Sequence, residues 1–313
     1  PLYYIDGYSG QIVRLEVDGV TRRTVTHETG PVTSLDVSPD GSKLAYVSGN
    51  RLIESDANGL NRVIKFEGTT NTISDLVYAP DGSRIAFAYG GVNLIASGPA
   101  GGAEAVTLVV ANDPVPADGG FGSDVRFYYP QSWSPDGVHL LANYRFIPSG
   151  GSLSILAPDS NVQVDIAPNV DDDWFWYAMR GDVAWKPDST SFYIANSAFV
   201  FDIPGLSLVD AGSGLVTGIY TTTTDTPSPE QPVQLVSGPH VTGNGELWAY
   251  VWELTDLPPG PVSYVLYAID PSNGERTPVN DQVYDDVSNV LWARDDSGAI
   301  LLTDMTYTKA GPT

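Results

Sequence analysis

The chain has 313 residues, no cysteine, and a formal net charge of −23 from 38 acidic and 15 basic residues. The lack of cysteine excludes disulfides, cysteine-based zinc sites, thiol catalysis and iron–sulfur clusters. The acidity argues against nucleic-acid binding, which needs clustered Lys and Arg, and no apolar run approaches the ~20 residues that span a bilayer as a helix.

The first predicted elements are an apolar strand that ends in Ser38-Pro39-Asp40-Gly41 and a second strand that follows at once. Proline fixes φ at a turn corner, aspartate can bond the backbone two residues on, and glycine tolerates positive φ. The segment therefore predicts strand, tight turn, strand. Copies of this unit return along the chain, with turns centred on Asp40, Asp81, Asp136, Asp188, Asn244 and Asp295.

The six copies are spaced by 41 to 56 residues. A period in this range, with about four short strands per unit, is typical of propeller blades. We therefore expect an all-β, six-bladed propeller that comprises residues 1–313 as a single domain. Strands are predicted at 2–5, 11–17 and 23–26 before the first turn, and one clear strand at 299–303 follows the last.

These terminal strands are expected to close the sixth blade together. The sequence leaves open whether each terminus contributes two strands to this blade, or whether one terminus contributes one strand and the other contributes three. The reason is that residues 2–5 and 299–303 could both take the second position of the blade.

The repeated W-S-P-D-G-x-x-L/I-A turn, with hairpins at 54–59 and 269–274, resembles the TolB-type, or PD40 (WD40-like), β-propeller repeat. The resemblance covers nearly the whole chain, and it departs from the pattern at 243–245 and 294–296. It implies a protein partner and a periplasmic, lipoprotein or secreted location. The chain begins at Pro1 without a signal sequence, so we expect a processed or trimmed form.

Two insertions interrupt the repeat. Residues 111–129 are rich in Pro, Gly and Asp and predict an extended loop, whose three aspartates could hold Ca²⁺ through oxygen ligands. Residues 165–177 contain three consecutive carboxylates followed by four aromatics. The candidate ligand-binding residues in this second insertion are Asp171, Asp172, Asp173, Trp174 and Trp176.

Carboxylates beside aromatic rings suit a carbohydrate, a basic peptide or a cation such as Ca²⁺. The alternative is that the aromatics pack between blades while the aspartates are only solvated.

A second candidate site lies where the innermost strands begin, because these positions converge on the central channel of a propeller. Asp75, Asp182 and Asn289 could bind a divalent cation there, and His240 nearby could assist acid–base chemistry. The alternative is that polar residues at these positions hydrogen bond the backbone of the neighbouring blade. No nucleophile elbow, zinc-protease motif or phosphate loop occurs in the sequence.

We therefore expect a monomeric, non-enzymatic propeller of the cell envelope or exterior that binds a protein or a carbohydrate, with no certain cofactor. The first alternative is a propeller enzyme, such as a polysaccharide lyase or glycoside-acting protein, that uses channel carboxylates and a divalent metal. The second is an extracellular structural protein whose acidity serves only solubility.

Overall fold

The computed structural model describes residues 1–98, 105–115, 125–146, 151–166, 182–196, 205–221, 228–229, 232–255, 263–284, 287, 289–292 and 299–302. The regular elements in these ranges are β-strands. None of the described residues forms a helix long and apolar enough to cross a membrane. The chain divides into two compact units, Pro1–Asp165 and Ile166–Thr313.

The first unit contains fifteen strands in four antiparallel sheets. They are β1 (Leu2–Ile5), β2 (Ile12–Leu15), β3 (Arg22–Thr24), β4 (Val32–Val37), β5 (Lys43–Ser48), β6 (Arg51–Asp56), β7 (Val63–Glu67), β8 (Ser74–Tyr78), β9 (Arg84–Ala88), β10 (Gly91–Ala96), β11 (Thr107–Ala111), β12 (Arg126–Trp133), β13 (Leu140–Phe146), β14 (Gly151–Ala157) and β15 (Val162–Asp165). Each strand pairs with the next in its sheet: β1–β3 form a three-stranded sheet, and β4–β7, β8–β11 and β12–β15 form four-stranded ones.

The second unit contains ten strands in three antiparallel sheets. They are β16 (Asp182–Trp185), β17 (Ser191–Asn196), β18 (Gly205–Asp210), β19 (Val216–Thr221), β20 (Val233–Val241), β21 (Leu247–Leu254), β22 (Tyr264–Ile269), β23 (Arg276–Tyr284), β24 (Asn289–Trp292) and β25 (Ala299–Leu302). Strands β16–β19 and β20–β23 form four-stranded sheets, and β24 pairs with β25.

The repeated turn has the local chemistry that its sequence predicts. After β4, the Asp40 carboxylate accepts hydrogen bonds from the Ser38 hydroxyl (2.7 Å) and from the backbone N–H of Ser42 (3.0 Å). These bonds, that of Ser38 above all, lower the pKa of Asp40 to about 2. Gly41 has a φ of +71°, which favours glycine at that position. The turn thus fixes where the first strand of each blade ends and the second begins.

The core lies between successive sheets. In the first unit, Tyr46, Leu44 and Ile53 of the second sheet are fully buried against residues of the first, such as Ile12. In the second unit, side chains of β17 and β18 pack against β20, β21 and β22. Burial of apolar side chains on both faces of each sheet explains why the middle strands are almost continuously apolar.

The described sheets confirm the all-β, six-bladed propeller class, with five four-stranded sheets and an incomplete sheet toward each terminus. The copy of the repeat near Asn244, which departs from the pattern at 243–245, also forms a turn, in which Gly245 N–H donates to the Thr242 carbonyl (2.8 Å). The sixth turn, around Asp295, lies outside the described residues. Both β1–β2 and β24–β25 are paired, and the joining of the terminal strands in one blade stays a prediction.

Candidate functional site

Arg126, the first residue of β12, lies where the two predicted insertions meet the sheet. Its backbone closes the base of the first insertion: Asp113 N–H donates to the Arg126 carbonyl, and Arg126 N–H donates to Asp113 Oδ2, both at 3.0 Å. Next to this pair, Tyr128 N–H donates to Asn112 Oδ1 (2.8 Å). The excursion between β11 and β12 therefore begins and ends at one place.

The prediction that residues 111–129 form a loop throughout was wrong at both ends. Ala111 belongs to β11, and residues 126–129 belong to β12, where they pair with β13. The reason is that Phe127, Tyr128 and Tyr129 are strand-forming aromatics, and Tyr128 is buried in the core. Of the three aspartates in this insertion, Asp113 is engaged by the backbone, and Asp118 and Asp124 lie outside the described residues.

The Arg126 side chain points to the start of the second insertion. Its guanidinium lies 5.0 Å from the centre of the Tyr144 ring and forms an ion pair with Asp165, the last residue of β15. Asp165 also accepts hydrogen bonds from Ser154 Oγ (2.5 Å) and Gln163 Nε2 (2.9 Å). Burial, and next the Asp165 charge, raise the pKa of Tyr144. One arginine thus connects the bases of both insertions.

Arg126 is not among the site residues that the sequence predicts. The sequence contains one partial indication of its role: an arginine at the edge of an acidic, proline-rich insertion is unusual in a chain with 15 basic residues. The side chain that it pairs with lies 39 residues away.

The candidate ligand-binding residues Asp171, Asp172, Asp173, Trp174 and Trp176 lie outside the described residues. The chain before them is described to Ile166, which is buried, and the chain after them resumes at Asp182. Their assignment to a binding surface stays a prediction.

Asp182, the first residue of β16, contacts the next sheet of the second unit. Its Oδ2 atom accepts a hydrogen bond from the backbone N–H of Gly238 (3.0 Å) and lies 3.4 Å from Ser237 Oγ. Both partners are on β20, the innermost strand of the next sheet. This is the interblade role that we considered as the alternative to metal binding.

The first unit repeats this arrangement. Asp36 of β4 accepts a hydrogen bond from the N–H of Tyr78 on β8 (2.6 Å), and Ser34 Oγ accepts one from the N–H of Leu76 (3.2 Å). Polar side chains of one innermost strand therefore satisfy backbone donors of the next.

Asp75 differs from these residues. It is exposed, its φ is +50°, and its carboxylate accepts a hydrogen bond from the adjacent Ser74 hydroxyl (2.5 Å). Positive φ is uncommon outside glycine, although Asp and Asn adopt it more readily than most residues. Asn289 pairs with Leu302 through the backbone of β24, and its side chain lies outside the described part. Within the described ranges, no three His, Asp or Glu side chains are grouped as a metal site requires.

Comparison with solved structures identifies the fold. The chain is similar to an oligogalacturonate lyase in complex with manganese, with 13% identity, a TM-score of 0.60, and coverage of 94% of this chain and 75% of the other. It is also similar to oligogalacturonate lyase from Vibrio parahaemolyticus (12% identity, TM-score 0.53, coverage 87% and 75%). A protein assigned as TolB from Agrobacterium tumefaciens aligns with 18% identity, a TM-score of 0.45, and coverage of 82% and 83%.

The two lyase structures support the propeller fold, and TolB, which the repeat resembles, is also among the similar structures. No family model and no curated protein sequence matches the chain. At these identities the similarity concerns the fold, because propellers host many unrelated activities.

Proposed function

We propose that the chain is a non-enzymatic propeller of the cell envelope or exterior that binds a protein or a carbohydrate. The binding surface is formed by the two insertions, with Asp171, Asp172, Asp173, Trp174 and Trp176 as contact residues. The protein acts as a monomer, and Ca²⁺ is the cation that this surface would take.

The observation that carries this proposal is the position of Arg126. It holds Asp113 through its backbone and Asp165 through its side chain, so the first insertion ends and the second begins at the same end of the strands of the sheet β12–β15. Loops that a rigid scaffold brings together are the usual place for binding residues. The guanidinium is the cationic partner of Asp165.

The chemistry of the second insertion defines what it would bind. Three carboxylates accept hydrogen bonds from sugar hydroxyls or from the amines of a basic peptide, and indole rings offer flat apolar faces for stacking. The net charge of −23 attracts cationic partners at low ionic strength and repels anionic ones.

The test is affinity capture from an envelope fraction of the source organism. The immobilised wild-type protein is compared with a variant that carries Asp171→Asn, Asp172→Asn and Asp173→Asn. We expect a component that the wild type retains and the variant releases while both melt at the same temperature. A matched control is Asp188→Asn, which removes a turn carboxylate that Thr190 holds by two hydrogen bonds. Equal retention by all three proteins would show that the aspartates are only solvated.

The second candidate is a propeller enzyme that acts on a polysaccharide with a divalent metal at Asp75, Asp182 and Asn289. The positive φ of Asp75 favours it, since backbone strain in a non-glycine residue is concentrated at functional sites. One similar structure is an oligogalacturonate lyase in complex with manganese.

This candidate predicts a melting temperature that rises with Mn²⁺ and falls with EDTA, together with formation of unsaturated products from oligogalacturonate. Stability that is insensitive to EDTA, without product, counts against it.

A further inference from the structure

Tyr89 follows β9 directly, and its phenolic oxygen is surrounded by hydrogen-bond donors from another segment. The backbone N–H groups of Thr69 and Thr70 donate to this oxygen at 3.1 and 3.3 Å. The Thr70 hydroxyl lies 3.0 Å from it and can either donate or accept. Three groups of the segment between β7 and β8 therefore converge on one phenol.

The ring is held in place from two sides. It packs edge-on against Phe66, with 4.8 Å between the ring centres. A Cβ atom added to Gly68 would lie 2.8 Å from the ring carbon Cε2 of Tyr89, so a glycine is needed where the backbone passes the ring. The phenol is thus positioned by packing as well as by hydrogen bonds, and Thr69 and Thr70 are exposed.

Two backbone donors on one oxygen form the arrangement that stabilises an oxyanion. The hydrogen bond of the Thr70 side chain, and next that of the Thr69 backbone, lower the pKa of Tyr89 to about 7, against an ordinary value near 10. Charged residues on the neighbouring strands include Lys65 and Glu67 on β7 and Asp75 on β8. Lys65 donates to the Gly98 carbonyl (2.8 Å), and carboxylates would raise the pKa, so the donors account for the lowering.

We propose that Tyr89 is a reactive tyrosine, a phenolate nucleophile held by Thr69 and Thr70 that is acylated by activated carboxylic esters. The Tyr89 oxygen forms a bond to the acyl carbon, and the bond between that carbon and the leaving oxygen breaks. The leaving group departs with the electron pair, and Tyr89 carries the acyl group as an ester. An ionised phenol has no proton to lose in this step, so no further reactant is needed.

The experiment uses p-nitrophenyl acetate at pH 7.5 and follows release of p-nitrophenolate. We expect a burst of one equivalent, with the acetyl group located on Tyr89 by mass spectrometry. Tyr8, which is 97% exposed, controls for accessibility, and we expect its acetylation to be at least about tenfold slower. The larger phenolate fraction of Tyr89 outweighs the lower nucleophilicity of a less basic oxygen. Tyr89→Phe removes the burst.

A second measurement does not depend on the ester. The absorbance of tyrosinate near 295 nm is recorded between pH 5 and 11 for the wild type and for Tyr89→Phe. We expect one of the 17 tyrosines to ionise with a midpoint of about 7, and this step to be absent from the variant. Thr70→Val raises the midpoint and slows the burst, and Thr70→Ser restores both.

The proposal is overturned by any one of three results. The first is a burst of the same size and rate in the wild type and in Tyr89→Phe. The second is an acetyl group on Tyr8 as early as on Tyr89. The third is identical absorbance titrations of the wild type and Tyr89→Phe between pH 6 and 8.

Discussion

The carboxylate of Asp182 accepts a hydrogen bond from the buried backbone N–H of Gly238 at 3.0 Å. Gly238 has a φ of +55°, and a Cβ atom there would lie 2.4 Å from Val290 Cγ2 on β24. The hydrogen bond therefore joins β16 to β20, and β20 packs at Gly238 against β24 of the third sheet of the second unit. Asp36 and Tyr78 form the corresponding contact in the first unit.

Replacement of Asp182 separates its structural role from a metal-binding role. We expect Asp182→Ala to lower the free energy of unfolding by about 1–3 kcal/mol, because it leaves a buried N–H without its acceptor. Asp182→Asn retains an oxygen acceptor and should lose less. Urea denaturation followed by tryptophan fluorescence measures both. A metal-binding role predicts instead that both variants lose any stabilisation by Mn²⁺ to the same extent.

Glu54 is the centre of a buried polar network in the first unit, and its side chain is 5% exposed. It accepts hydrogen bonds from Tyr78 OH (3.0 Å), Ser97 Oγ (2.6 Å) and Gly98 N–H (2.8 Å). The ammonium group of Lys65, whose side chain is fully buried, lies 4.0 Å away.

Neutralisation of Glu54 should be strongly destabilising. We expect Glu54→Gln to lower the free energy of unfolding by about 3–5 kcal/mol, since it removes the negative charge that faces the buried Lys65 ammonium group. The control is Glu16→Gln, which removes a partly exposed ion pair with Arg14 (3.0 Å) and should change stability by less than about 1 kcal/mol. Equal effects in urea denaturation would mean that the Glu54 charge contributes no more to stability than a partly exposed ion pair does.

Tyr46 should make the fold sensitive to alkali. Burial raises the pKa of Tyr46 to about 12, above the value near 10 of an unfolded chain. Between these values the folded protein keeps a proton that the unfolded chain has released, so stability is full below pH 10 and falls as the pH rises toward 12. The unfolding constant should rise by up to about tenfold per pH unit.

Tyr46→Phe removes this contribution to the alkaline slope. It also removes the hydroxyl that donates to Glu28 (2.8 Å) and accepts from Arg62 (3.0 Å), so the variant should be less stable at neutral pH. Urea midpoints at pH 8, 10 and 11 test both statements. A slope that is unchanged in the variant would show that Tyr46 does not titrate in this range.

Arg126→Met should loosen the base of both insertions while the sheet stays folded. The methionine keeps the contact with Tyr144 but cannot pair with Asp165. We expect faster limited proteolysis within 114–124 and 167–181 and weaker ligand binding, with a melting temperature within a few degrees of the wild type. Unchanged cleavage rates at both segments would remove the support that Arg126 lends to a shared binding surface.

Local chemistry made the fold predictable. Each Ser-Pro-Asp-Gly turn specifies its own geometry, and the alternating apolar residues around it specify strands, so the positions of most blades follow from the sequence. The Arg126–Asp165 pair and the donors around Tyr89 could not be predicted in this way. They join residues from different strands and loops, and no short pattern in the sequence records which side chains the sheet brings together.

The boundaries of the first insertion show a second reason why parts of the structure could not be predicted from the sequence. Proline, glycine and aspartate mark where a loop begins, but nothing in the composition marks where the chain regains a partner strand. Residues 126–129 belong to β12 because they pair with β13, and this pairing depends on residues that follow later in the chain.

The binding affinity of the Asp171–Asp173 triple asparagine variant tests the proposed function most directly. Once the component captured by the wild type is purified, its dissociation constant is measured for both proteins at low and physiological ionic strength. Binding should be weakened by at least about tenfold in the variant at low ionic strength, with unchanged melting. Equal dissociation constants at both ionic strengths would contradict the assignment of this insertion as the binding surface.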